Sequence, residues 1–255
     1  MTNRQPSGPR IAGLAFGIGL ALAQASAFAD TGFVRLSKAG DDVMTACNPT
    51  SSAASTKCRV TSLPGESGYT LVASRSAPIL INGVAVGTQY EKAWRKNSDP
   101  KLYIFGVRLQ MTADQWDASG SAFAVNDLLR QVRADKHASV AYFVGSPASV
   151  KQLKRAGRTA QGLDEFEEGG PERNNGWVDY RIELNAAPPS GTASPNSPWL
   201  LVKARAPKGY SVESFAMRIL NSTVDENGDQ NSIYSAGYRA TCNSEACEPD
   251  GGDDD

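Results

Sequence analysis

Val178, Tyr180, Ile182 and Leu184 alternate with Asp179, Arg181 and Glu183, so one face of this segment is apolar and the other charged. A period of two is that of an extended strand, whose successive side chains point to opposite faces, and it predicts a half-buried β-strand. Apolar-rich segments of similar length recur at 33–36, 69–73, 102–111, 139–144, 199–204, 215–220 and 233–241. Pro78-Ile79-Leu80-Ile81 and Val84-Ala85-Val86 flank Asn82-Gly83, a dipeptide that accepts positive φ at both central positions of a type I′ turn. That sequence predicts a hairpin. Two segments carry helical spacing instead: Val125 to Arg133, through Leu128, Leu129 and Val132, and Ser149 to Ala156, with Gly157 as its C-terminal cap. The expected fold is mainly β, an antiparallel β-sandwich-like domain with one or two short helices.

Three polar stretches interrupt the pattern. Residues 162–176 are acidic and glycine-rich, 187–198 read A-P-P-S-G-T-A-S-P-N-S-P, and 248–255 form the acidic tail E-P-D-G-G-D-D-D. The proline- and serine-rich stretch within 186–198 reads as a linker or a long exposed loop. The strands on either side of it could pair with each other across that loop. No internal repeat is present, and the organisation expected is one β-rich unit over 30–247 followed by a disordered tail.

The N-terminus changes the picture. Arg4 and Arg10 precede an apolar run from Ile11 to Ala23, which leads to Ala27-Phe28-Ala29 before Asp30. The run is shorter than the roughly 20 apolar residues that a bilayer-spanning helix needs, and it ends in the small residues that signal peptidases accept. Residues 1–29 are therefore expected to be a cleaved signal peptide, with cleavage after Ala29, and the protein to be periplasmic, cell-surface or extracellular. No second long apolar stretch predicts a helical membrane span.

In an oxidising compartment, four cysteines in two local pairs predict disulfides. Cys47–Cys58 and Cys242–Cys247 are the favoured pairs, because short loops close at least entropic cost. Neither pair has the spacing of a zinc site. With 26 basic and 27 acidic residues, the net charge is −1, which supplies no global field to attract nucleic acid or an anionic surface.

Catalytic signatures are sparse. His137 is the only histidine and sits in the charged turn R-A-D-K-H-A, and no G-x-S-x-G elbow accompanies it. Asp30-Thr31-Gly32 resembles the triplet around the nucleophilic carboxylate of aspartic proteases, but no second D-[ST]-G completes a dyad. Asp164, Glu165, Glu167 and Glu168 offer carboxylates for glycosidase-type chemistry, although a like-charge run beside Gly169-Gly170 reads first as a solvated loop. Lys151, Lys154, Arg155 and Arg158 would share one face of the expected second helix.

Two binding features remain. Asp225, Asn227, Asp229 and Asn231 alternate as oxygen ligands do in calcium loops, which makes calcium the one cofactor suggested. The spacing departs from an EF-hand, with Gly228 in fourth position and Ala236 in the twelfth. Trp94 lies among the charges of Y-E-K-A-W-R-K-N, and it and Trp116 are the aromatics expected at a binding surface. Trp177 and Trp199, at strand starts, are expected in the core. These patterns point to a non-enzymatic, secreted or surface-associated binding or structural protein. Its partner would be a surface polysaccharide or another envelope protein. The alternatives are a carboxylate-dependent secreted hydrolase of glycan or peptide, and a calcium-stabilised extracellular structural protein.

Overall fold

The computed structural model describes residues 1, 32–36, 47, 58–132, 138–148, 153–158, 176–224 and 230–241. Two predominantly antiparallel sheets pack face to face as a β-sandwich-like domain, with no helix among the described residues. The first sheet holds β1 (Val34–Arg35), β2 (Arg59–Val60), β3 (Tyr69–Ile81), β4 (Val84–Lys96), β5 (Leu102–Met111), β7 (Ala138–Phe143) and β10 (Trp199–Arg205). Its order is β1-β7-β10-β5-β4-β3, and β2 adds to β7 in parallel. The second sheet is ordered β12-β11-β6-β9-β8. Its strands are β6 (Val125–Gln131), β8 (Leu153–Arg158), β9 (Trp177–Leu184), β11 (Tyr210–Val224) and β12 (Gln230–Ala240).

The hairpin over Asn82-Gly83 forms as its sequence requires, with φ of 50° at Asn82 and 81° at Gly83. The alternating segment Val178–Leu184 forms a strand with its apolar face inward; on its other face Arg181 and Glu183 are exposed, whereas Asp179, expected there too, is buried. Val178, Tyr180, Ile182 and Leu184 are buried in the sandwich core, where they meet Val107, Leu109, Val140, Leu200 and Val202 of the first sheet. Tyr180 donates its hydroxyl across the core to the carbonyl of Leu201 at 2.8 Å, and burial pushes its pKa well above the ordinary tyrosine value.

Where they are described, both expected helices are strands; Arg133 and residues 149–152 lie outside the described residues. Val125 to Gln131 is β6, which lies between β11 and β9 and is buried on both faces: Leu128 enters the core, and Leu129 is covered on the other side. A strand buried on both faces shows no polar alternation, so its apolar residues imitate helical spacing. The second segment contributes β8, where Ala156 and Gly157 pair with Tyr180 and Asp179; Gly157 is a strand residue and caps nothing. Pairing with β9 overrides local propensity there.

The strands around the proline-rich stretch do not pair with each other, because β9 belongs to the second sheet and β10 to the first. The intervening segment crosses between the sheets and is held along β5. Met111 N–H donates to Pro195 O at 2.8 Å, Ser197 N–H to Leu109 O at 3.0 Å, and Leu109 N–H to Ser197 Oγ at 2.8 Å.

Cys47 and Cys58 form a disulfide with Cα atoms 5.7 Å apart. Cys47 bridges to Ala156 of β8, and the Cys58 carbonyl accepts the Tyr142 N–H of β7, so the bond ties the second sheet to the first. Cys242 and Cys247 lie outside the described residues.

A candidate anion-binding groove on the first sheet

Strand alternation gives β4 two different faces. Gln89 and Glu91 point inward, whereas Tyr90 and Lys92 point outward. The inward face is locked by a buried polar network. Glu91 accepts from Arg75 Nη1 at 2.9 Å, Arg130 Nη2 at 3.1 Å and the Tyr238 N–H at 3.2 Å. Arg130 also donates to Tyr238 O at 2.6 Å, and Gln89 joins Ala236 O and Ser235 Oγ. These contacts fasten β4 to β6 and β12, with the Glu91 carboxylate compensated by two guanidinium groups.

The outward face carries the groove. Register sets two rows across the strands: Ser76, Tyr90 and Arg108 form one, and Ser74, Lys92, Gly106 and Leu201 the other. Trp199 precedes Leu200, which pairs with Val107, so its indole falls beside Arg108. Gly106, in the neighbouring row, leaves room for the side chains of Leu201, Trp94 and Trp199 to close over it. A Cβ at that position would stand 2.9 Å from Leu201, 3.0 Å from Trp94 and 3.3 Å from the Trp199 indole edge.

Lys92 Nζ sits 5.2 Å from the centre of the Trp199 ring. The Arg108 guanidinium is 5.7 Å from the same ring and 4.8 Å from that of Tyr90. Tyr90 donates its hydroxyl to Gln110 Oε1 at 3.1 Å. These residues, with Ser74, Arg75, Ser76 and Glu91, line an open groove of about 610 Å³, and the Glu91 carboxylate is taken up by Arg75 and Arg130. Among the described residues no carboxylate pairs with Lys92 or Arg108, and Arg108 Nε is buried without a hydrogen-bond partner. Two cations held on aromatic faces without counter-charge form a surface suited to an oxyanion.

Trp94, expected at a surface, is 5% exposed. It belongs to a second apolar cluster, on the outer side of the first sheet, with Phe33, Val60, Ile104 and Leu201, against which Leu63 and Tyr69 pack. Although charged residues flank it in sequence, this outer face of the sheet is itself covered. Trp116 is half-buried and packs edge-to-face on Phe123 at 5.4 Å, next to the main core. Trp177 and Trp199 are buried as expected, and Trp199 also floors the groove.

Of the calcium ligands expected, Asn231 lies in β12, while Asp225, Asn227 and Asp229 lie outside the described residues. The same holds for His137, for Lys151, for the acids at 164–168 and for Asp30; Lys154, Arg155 and Arg158 fall on β8. No group of three or more metal-ligating side chains occurs among the described residues.

The structure brings together one pair of carboxylates that local sequence does not reveal. Asp127 takes Arg181 Nε at 2.8 Å and Nη2 at 3.2 Å, and Asp179 lies on the same outer face of the second sheet, diagonal to Asp127. Burial, followed by the neighbouring Asp127 charge, raises the Asp179 pKa well above the carboxylate range.

Tyr90, Lys92, Arg108 and Trp199 carry the groove, and sequence reading did not assemble them because three strands separated by up to 109 positions contribute. A search of protein-family models, of curated proteins and of solved structures finds no match to this chain.

Proposed function

We propose that this chain is an exported, non-enzymatic binding module whose ligand is anionic and occupies the groove of Lys92, Arg108, Tyr90 and Trp199. One observation carries the reading: two cations converge on one indole with no carboxylate partner among the described residues. Ring stacking positions these two cations and leaves N–H donors available to a ligand. A polysaccharide with acidic groups outside the cell fits this chemistry. Export draws on the N-terminal pattern and on the Cys47–Cys58 disulfide. The hydrolase alternative gains little from Asp127 and Asp179, since both are buried and Arg181 engages both oxygens of Asp127.

The test is retention on immobilised dextran sulfate, polygalacturonate and neutral dextran. Salt-dependent retention on an anionic matrix, absent on dextran and weakened at least tenfold by Lys92→Ala/Arg108→Ala, supports the reading. Equal retention on all three, or retention unaffected by the double variant, overturns it.

A further inference from the structure

Resting on that reading, we infer that the groove selects an ester oxyanion with three terminal oxygens, a sulfate ester or phosphate monoester borne on a sugar, over a carboxylate. The argument is one of donor number and placement. Ser74 and Lys92 stand opposite one another in one cross-strand row, and Ser76, Tyr90 and Arg108 in the next. The serine hydroxyls are exposed, line the groove and are engaged by no other described residue. An ammonium, a guanidinium edge and two hydroxyls thus approach from three strands.

A carboxylate is planar and singly charged, and one guanidinium satisfies both its oxygens side by side. Bound to Arg108, it would leave Lys92 without a partner. A tetrahedral ester group presents three oxygens in different directions, so Arg108 and Lys92 can each hold one while a third meets a serine hydroxyl. Two uncompensated positive charges also match the charge of roughly −1.5 to −2 on a phosphate monoester. Lys92 and Arg108 are diagonal neighbours on adjacent strands, on the same face of the sheet, a spacing from which two long side chains can reach a single group. The covered aromatic faces leave little ring surface for a neutral sugar, so the anion supplies the recognition.

Calorimetric titration of the full chain with glucose 6-sulfate, glucose 6-phosphate, glucuronate and glucose tests this. Either ester binding at least tenfold more tightly than glucuronate supports the inference and identifies the ester. The conservative Arg108→Lys, whose fold is checked by its melting curve, should lose about tenfold for that ester, since an ammonium cannot offer the guanidinium edge. Glucuronate binding as tightly as both esters overturns the inference while leaving the anion reading in place. Failure of all three acids together with no retention on either anionic matrix removes both.

Discussion

Glu91 has no exposed side-chain surface and lies between the guanidinium groups of Arg75 and Arg130, the latter 1% exposed. Removing one partner of a buried pair strands the other charge away from water. Glu91→Ala should therefore cost about 3–5 kcal/mol in urea denaturation, against about 0.5 kcal/mol or less for Lys92→Ala on the opposite face of the strand. Asp179 makes a different prediction. Its folded pKa is raised, so the folded chain binds a proton that the unfolded chain releases in the ordinary carboxylate range. That contribution is fully present below the unfolded pKa and is lost as pH rises through the folded value. Asp179→Asn, which keeps the shape without the charge, should be more stable than the native chain at neutral pH and should flatten the fall in stability as pH rises above the ordinary carboxylate range. Chemical melts across that range check it, and an unchanged slope would refute the assignment.

The Cys47–Cys58 bond closes a short loop, of sequence separation 11, and clips β8 to β7 through backbone contacts on either side. A loop of this length stabilises by about 3 kcal/mol through the unfolded state. Cys47→Ala/Cys58→Ala should then lower the melting temperature by roughly 6–12 °C, and a melt within 2 °C of native would contradict that estimate. At this scale the legibility of the chain divides cleanly. The Asn82-Gly83 hairpin and the Val178–Leu184 strand were readable because turn chemistry and a strict apolar–charged alternation leave local marks, even though Asp179 on the charged face is buried. β6 was not, because Leu128 and Leu129 are both buried and erase the alternation; β8 was not, because its partner strand decides it. Trp94 was misplaced for a related reason: Arg95 and Lys96 follow it in sequence, but the apolar cluster with Phe33 and Val60 covers its face of the sheet. The groove lay beyond local reading altogether, since it exists only once β3, β4, β5 and β10 are in register.

For the molecule as a whole, the proposed export sets a measurable mass. The purified chain should begin at Asp30, and its mass should rise by four hydrogens on reduction if Cys242 and Cys247 pair as well as Cys47 and Cys58. A full-length chain recovered from the cytoplasm would remove the export reading and the compartment argument with it. The two-faced character of β4 carries a consequence for how such a chain can change. Its inward Glu91 is held by β3, β6 and β12, and its outward Tyr90 and Lys92 face the groove. A one-residue insertion or deletion within Gly87–Lys96 would exchange the faces, turning the Glu91 carboxylate toward solvent and driving the Lys92 ammonium into the core. Such a change loses the anchor and the ligand surface in a single step. Length variation in this architecture therefore belongs in the exposed part of the crossing segment, around Pro189–Ala193, and a tolerated frame shift inside β4 is the outcome that the fold forbids.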